Sequence, residues 1–303
     1  MKKILCVLMS CLLFVMAGCS GHSKNLKFGA ADIGGVYYSF ASTFTQLADK
    51  EIDGYTFETK TTAGSVANLR LISDGYIDLA IAQADLLSDA YNATGTFADK
   101  KYQKGYKAVA SLYTECCQIV VRKDSGITGI DDLINKTVSV GASESGSEKN
   151  AEQILKMSGI TDELINKVNM DYTEAAEKLK AGEIDAFFCT AGTRTEVIGQ
   201  LSKECDICLI SLDDKCIDKM LSAYSLCEKY TIPAGTYNGQ DSDVTTIGVK
   251  AVLIAKQSLS DDVIKNVTKT IYEHADDFKY ATSLDISFDI NLSLIHISEP
   301  TRQ

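Results

Sequence analysis

Hydrophobic positions along this chain switch repeatedly between two spacings. Residues 26–29 alternate apolar and polar, whereas apolar residues in 39–48 recur at helical spacing, with Gly34 and Gly35 between the two stretches. A period of two marks a strand and a spacing of three and four marks one helix face, so this segment predicts strand, sharp glycine turn, helix. The unit recurs. Residues 55–62 alternate, and Thr61-Thr62-Ala63-Gly64-Ser65 leads into a helix carrying Val66, Leu69 and Ile72. Residues 77–82 (IDLAIA) are short, apolar and flanked by turns, as a buried parallel strand is.

The second half repeats the plan. Residues 86–106 read as a helix with a surface excursion, and 108–113 and 118–122 as two apolar runs parted by Thr114-Glu115-Cys116-Cys117, where the chain is expected to cross between lobes. A fresh series follows: a short helix at 130–134, a strand at 137–141, a Gly/Ser loop at 143–147 and a helix at 148–157. A helix at 173–180 then leads to a buried strand at 184–190. Both halves contain helix, Gly turn and a strand opening on Ile-Asp, at Ile77-Asp78 and Ile184-Asp185. Further on, 209–212 predicts a strand, 216–227 a helix, 232–237 turns, 244–255 a long strand, and 261–280 one amphipathic helix. The expected fold class is α/β, with two similar lobes, 26–115 plus 245–282 and 116–244, facing each other across a cleft.

In open α/β sheets ligands sit beyond the carboxyl ends of strands, where helix N-termini present unpaired N–H groups suited to an anion. Gly35, Tyr37, Ser65 and Gln83 are therefore candidates on one wall, and Ser145, Gly146, Ser147 and Gly192 on the other. Two positions stay open. Asp85 can face the site or cap the next helix, and Arg194 can pair a ligand carboxylate or stay in solvent. Ser145 has the same ambiguity, being also a good N-cap. The loop is no phosphate-binding P-loop, because the closing Lys-Ser/Thr is absent.

Composition narrows the function classes. A formal net charge of −11 with no Lys/Arg cluster argues against a nucleic-acid partner. No His lies in any candidate site, and no nucleophile–base pair or metal-ligand set is visible, so neither an enzyme nor a cofactor is expected. Cys205 and Cys208 have zinc-like spacing without a second pair. At the start, Lys2-Lys3, an apolar run at 4–16 and Met16-Ala17-Gly18-Cys19 resemble a bacterial lipoprotein signal, with Cys19 lipidated, residues 1–18 removed and 19–25 a tether. Removing Cys6, Cys11 and Cys19 from the 10 cysteines leaves 7, an odd number, so at least one is not in an internal disulfide. The last stretch, SLIHISEPTRQ, resembles translated adapter sequence, and residues 283–303 are expected to lie outside the native fold.

Several motifs together resemble a TAXI-type solute receptor, the extracytoplasmic component of a tripartite ATP-independent periplasmic (TRAP) transporter. They are GGVYYSFA at Gly34, TTAGSVANLRLI at Thr61, DLAIAQAD at Asp78, LYTECCQIVVRKDSGI at Leu112, VGASESGSEKNAEQIL at Val140, IDAFF at Ile184 and IPAGTYNGQDSDVTTIGVKA at Ile232. The resemblance implies a two-lobed periplasmic-binding-protein-like (type II) fold closing on a small organic anion, a dicarboxylate or an amino acid such as glutamate or 2-oxoglutarate. It implies delivery to a TRAP-type membrane permease by a receptor expected to act as a monomer, with an ATP-driven (ABC) importer as the alternative. It also implies ligand contacts at Gly35, Tyr37, Ser65, Asn68, Gln83 and the Ser145–Ser147 loop. The family commonly has His near Gln118 and Pro near Thr193, and this chain has neither.

Overall fold

A computed structural model describes residues 24–99 and 104–284. The signal segment with Cys19, and all of 283–303 except Ser283 and Leu284, lie outside the described residues. β1 (Lys24–Gly29) begins two residues earlier than the sequence pattern predicts, so Lys24 and Asn25 belong to the fold rather than to a tether. α1 (Val36–Glu51), β2 (Tyr55–Lys60), α2 (Ser65–Ser73), β3 (Leu79–Gln83) and α3 (Ala84–Asn92) complete the first series. β1 lies between β2 and β3 and is parallel to both, with Leu26 beside Phe57 and Phe28 beside Leu79.

The second series is β5 (Thr137–Ser139), α4 (Gly146–Met157), β6 (Asn166–Val168), α5 (Tyr172–Ala181) and β7 (Ala186–Ala191). β5 sits between β6 and β7, again parallel. The strand order 2-1-3 of the first series therefore recurs as β6-β5-β7, which accounts for the echo between the two Ile-Asp strands. β6 is too short and too polar to stand out in the hydrophobic pattern; its burial is only partial.

Two long antiparallel strands join the halves. β4 (Tyr106–Arg122) runs unbroken through Glu115, where the sequence pattern suggests two separate runs, because Thr114 and Glu115 face partners across the sheet and do not interrupt it. Its first part pairs with β10 (Val244–Lys256), and its residues Cys116–Val121 pair with β7. β10 in turn pairs with β3 through Ala251–Ala255 and with β9 (Cys227–Ile232) through Val244–Val249. Each crossing strand thus belongs to both halves. The expected helix at 216–227 is instead α7 (Asp214–Ala223), and Cys227 opens β9, which is buried at its two ends and mostly exposed between them. α6 (Glu196–Glu204) and β8 (Ile207–Leu209) precede it, so the strand predicted at 209–212 lies slightly earlier.

The expected single C-terminal helix is split into α8 (Asp261–Glu273) and α9 (Ala275–Thr282). His274 leaves helical geometry between them, its ring bridging Glu51 at 2.5 Å and Asp277 at 2.9 Å. The break lets α9 fold back on α1, where Phe278 stacks on Phe40 at 4.6 Å beside the Phe28–Phe44 pair at 5.5 Å. Fully burying each ring contributes about 1.5–3 kcal/mol, so this aromatic cluster anchors the corner after β1. All seven described cysteines are free.

Candidate functional site

The corner between β1 and α1 approaches the second half closely. Neither Gly34 nor Gly35 uses a positive φ; Gly35 is extended at φ −101°. Their role is space: a Cβ on Gly35 would stand 3.3 Å from the Asp32 carbonyl and 3.6 Å from the Tyr172 ring, and one on Gly34 would stand 3.4 Å from Thr173 Oγ1. Gly64, by contrast, has φ +121° and must be glycine to turn the chain into α2. Beyond these turns the N-termini of α1, α2 and α4 converge on one cavity of about 40 Å³, with Gly35, Tyr37, Ser65, Gln83 and Ser145–Ser147 among its lining residues. That space admits the centres of only a few waters, because the walls touch.

The contacts between walls are direct. The Ala67 amide donates to the Glu144 carbonyl at 3.1 Å, and Arg70 grips the Glu144 carboxylate through Nη2 at 2.6 Å and Nε at 3.2 Å. The Tyr172 amide donates to Asp32 at 3.2 Å, and Gln83 Nε2 to Asn150 at 3.0 Å. A Cβ on Gly146 would collide with the Gln83 carboxamide, so the glycine there makes room for this crossing.

On the first wall the polar groups form a wire. The Gln83 amide donates to Ser65 Oγ at 3.1 Å, Ser65 Oγ meets Tyr37 Oη at 3.3 Å, and Tyr37 Oη donates to Glu115 at 2.9 Å. Glu115, on β4, is only 2% exposed and lines the cavity. Burial pushes its carboxyl up to about 8, with the Asp85 charge adding to the rise and the Tyr37 and Gln83 hydrogen bonds opposing it. Glu115 is not among the site candidates that the strand and helix pattern marks. A lone acid inside an apolar strand, opposite the candidate tyrosine, was the available signal.

On the second wall the serines are already engaged. Ser145 Oγ caps α4 by accepting from the Glu148 amide at 3.0 Å, which resolves the earlier ambiguity in favour of the cap. Ser147 Oγ accepts from the Thr190 amide at 2.8 Å and meets Tyr172 Oη at 2.6 Å, and Tyr172 in turn donates to the Thr190 carbonyl at 3.0 Å. Asp85 lies in the first turn of α3, buried and away from the cavity lining, with its carboxyl raised to about 6 by burial. Arg194 adopts φ +67° and borders grooves outside the central cavity.

Two candidates fall elsewhere. Asn68 is fully buried on the face of α2 that packs on the sheet, where Nδ2 donates to the Gly29, Ala30 and Ile81 carbonyls and Oδ1 accepts from Thr62. It buttresses the ends of β1 and β3 and does not line the cavity. Gly192 stands one residue past the lining Ala191, and a Cβ there would strike Leu284 on the far side. Charge in the lining is one-sided: among the described residues Asp32, Glu115 and Asp171 line the cavity, and no Lys or Arg does. Asp32 is raised by burial and by the charge of Asp171.

Comparison with known proteins matches residues 28–291 to the NMT1-like family. Among solved structures, the chain is similar to a Listeria monocytogenes protein assigned provisionally as an L-cystine ABC transporter, at 14% identity and TM-score 0.54 over 86% of this chain and 94% of that one. It is similar to the periplasmic binding protein BugD at 11% identity and TM-score 0.57, over 85% of each chain. The substrate-binding protein of an amino acid ABC transporter gives 14% identity and TM-score 0.50, over 86% of this chain and 97% of that one. At these identities the likeness shows a shared fold, the two-lobed type II periplasmic-binding-protein architecture.

Proposed function

We propose a function that starts from membership: this chain belongs to the NMT1-like family. It acts as an extracytoplasmic solute receptor that takes up a small organic ligand carrying a carboxylate and hands it to a membrane permease. The observation that carries this reading is the cavity at the junction of two like α/β halves, onto which buried helix N-termini open. α1 and α2 begin at Gly35 and Gly64 without any side-chain cap, and their first residues are buried. Such ends carry partial positive charge. Although the Ala67 amide of α2 is already used on the Glu144 carbonyl, the other first-turn N–H groups have no side-chain cap and are the ones a ligand carboxylate would satisfy. β4 and β10, shared by both halves, are the natural hinge for opening and closing around the ligand.

The permease is proposed to be of the ion-coupled TRAP type, following the TAXI-like motifs. Membrane attachment through a lipid on Cys19, a monomeric receptor, and lobes bounded at 26–115 plus 245–282 and 116–244 complete this reading. The names of two similar structures favour an ATP-driven importer as the second reading. Thermal melting of the chain from Ser20 onward, against a panel of carboxylates and amino acids, tests the receptor. A ligand at a hundred times its Kd adds about 2.7 kcal/mol of stability, and a folded protein that responds to no compound in a broad panel would count against it. Uptake into vesicles bearing the partner permease then separates an imposed ion gradient from ATP as the driving force.

A further inference from the structure

A cavity built to hold only anions is expected to contain a cation. This one presents helix N-termini on one side and, beside them, a nearly fully buried glutamate, with no Lys or Arg among the described lining residues. A second observation points the same way. Gln83 is 1% exposed, lines the cavity beside Glu115, and its Oε1 has no hydrogen-bond partner although its Nε2 is used on Asn150. A buried carbonyl oxygen left without a donor is unfavourable, and an N–H from the ligand would satisfy it. The half-buried Asp32 lines the same cavity and accepts from the Tyr172 amide.

From this arrangement we infer that the ligand is an amino carboxylate of net charge zero or above, its carboxylate on the α1 and α2 N-termini and its ammonium on Glu115 and the Gln83 carbonyl. The inference rests on the receptor reading and narrows its substrate class. An α-amino acid supplies both groups two bonds apart, matching a wall where Tyr37 stands in the first turn of α1 and donates directly to Glu115. A second carboxylate would enter a space whose charged side chains, among the described residues, are all acids, so dicarboxylates and 2-oxo diacids are disfavoured. Burial keeps the Glu115 carboxyl protonated near neutrality in the empty site, and an arriving ammonium supplies the charge that lets it ionise.

The test is calorimetric titration of the intact protein with L-glutamine, L-alanine and L-lysine, each set against its 2-oxo acid, together with L-glutamate and 2-oxoglutarate. At least one neutral or basic amino acid is expected to bind at least 10-fold tighter than its 2-oxo acid, and tighter than glutamate. Glu115→Gln should lose at least 10-fold for the amino acid and leave the weak 2-oxo acid unchanged, so that the ratio between them collapses. Asp32→Asn, farther from the buried end, should lose only a few-fold, and it serves if Glu115→Gln melts too low to titrate. Tight binding of 2-oxoglutarate or another dicarboxylate, or a ratio untouched by Glu115→Gln, overturns this inference and leaves the receptor standing. A folded protein that binds nothing in this and the wider panel overturns both.

Discussion

The two corners that face the cavity share one plan, strand then turn then helix, and differ in what closes the helix ends. On the second wall Ser145 caps α4 and Asp171 caps α5, accepting from the Glu148 amide at 3.0 Å and the Glu174 amide at 2.8 Å. On the first wall α1 and α2 start at glycines and have no side-chain cap. A wall whose N–H groups are satisfied internally is rigid and complete; one whose buried N–H groups lack caps is completed by something else. The asymmetry teaches that repetition of a fold unit does not repeat its chemistry. One copy closes its helix ends with its own side chains, and the other leaves α1 and α2 without side-chain caps, the ends on which the proposed ligand would sit.

The largest effect should come from the floor between the walls. Glu115 is raised from 4.5 to about 8 and Asp85 from 3.8 to about 6, both chiefly by burial. A carboxyl held above its unfolded value binds more protons in the folded state, so its penalty is absent in acid and grows as pH rises from the unfolded value through the folded one. These two carboxyls should therefore cost the ligand-free protein nothing below about pH 4 and progressively more stability up to pH 8–9. At about 1.4 kcal/mol per pKa unit, Glu115→Gln should recover on the order of 5 kcal/mol at pH 8.5 and little at pH 4.5. Urea titrations at the two pH values check this, and an equal effect at both would remove ionisation as the cause.

A smaller effect, near 1 kcal/mol, tests the caps themselves. Ser145→Ala should cost about that much stability while changing ligand affinity little, because its hydroxyl serves the helix and not the cavity. Gly35→Ser makes the opposite change. Gly35 already has the extended geometry of a cap, and a Cβ there needs the Asp32 carbonyl to yield by a few tenths of an ångström. The new hydroxyl should leave stability within about 1 kcal/mol of the parent and weaken the ligand about 10-fold by taking its N–H groups. If both variants weaken binding alike, the walls are not divided as described.

Much of this was legible before any coordinates. Period-two and helical spacings located both α/β series, and glycines with serines after strands marked five of the lining positions, Gly35, Ser65, Ser145, Gly146 and Ser147. What escaped was decided by long-range pairing. The continuous β4 is held by β10 and β7, which no local pattern announces, and β9 forms only because Val244–Val249 offers it an edge. Asn68 matched a motif, yet whether an amide faces a ligand or three backbone carbonyls depends on strands that meet behind it. Glu115 was passed over for a related reason: a strand acid looks like a solvent-facing residue until both sides of the sheet are known to be covered.

The smallest effect concerns how the walls stay together. Arg70 and Glu144 form a two-point ion pair across the cleft, with side chains 33% and 38% exposed, and Glu144 sits at φ +66° to reach it. Exposed pairs contribute about 0–1 kcal/mol, so Arg70→Ala should barely move the melting temperature. The pair is made only when the walls touch, so its loss should appear instead in the rate at which a bound ligand escapes. A contribution of 0.3–1 kcal/mol to closure corresponds to dissociation about 2–5-fold faster at low ionic strength. Salt screens the same attraction, so the parent protein near 1 M salt should release ligand as fast as the variant does in dilute buffer. Stopped-flow dissociation at both ionic strengths reads this directly. Identical rates for parent and variant in dilute buffer would mean that the Ala67–Glu144 backbone bond and the Gln83–Asn150 contact hold the walls closed without help from charge.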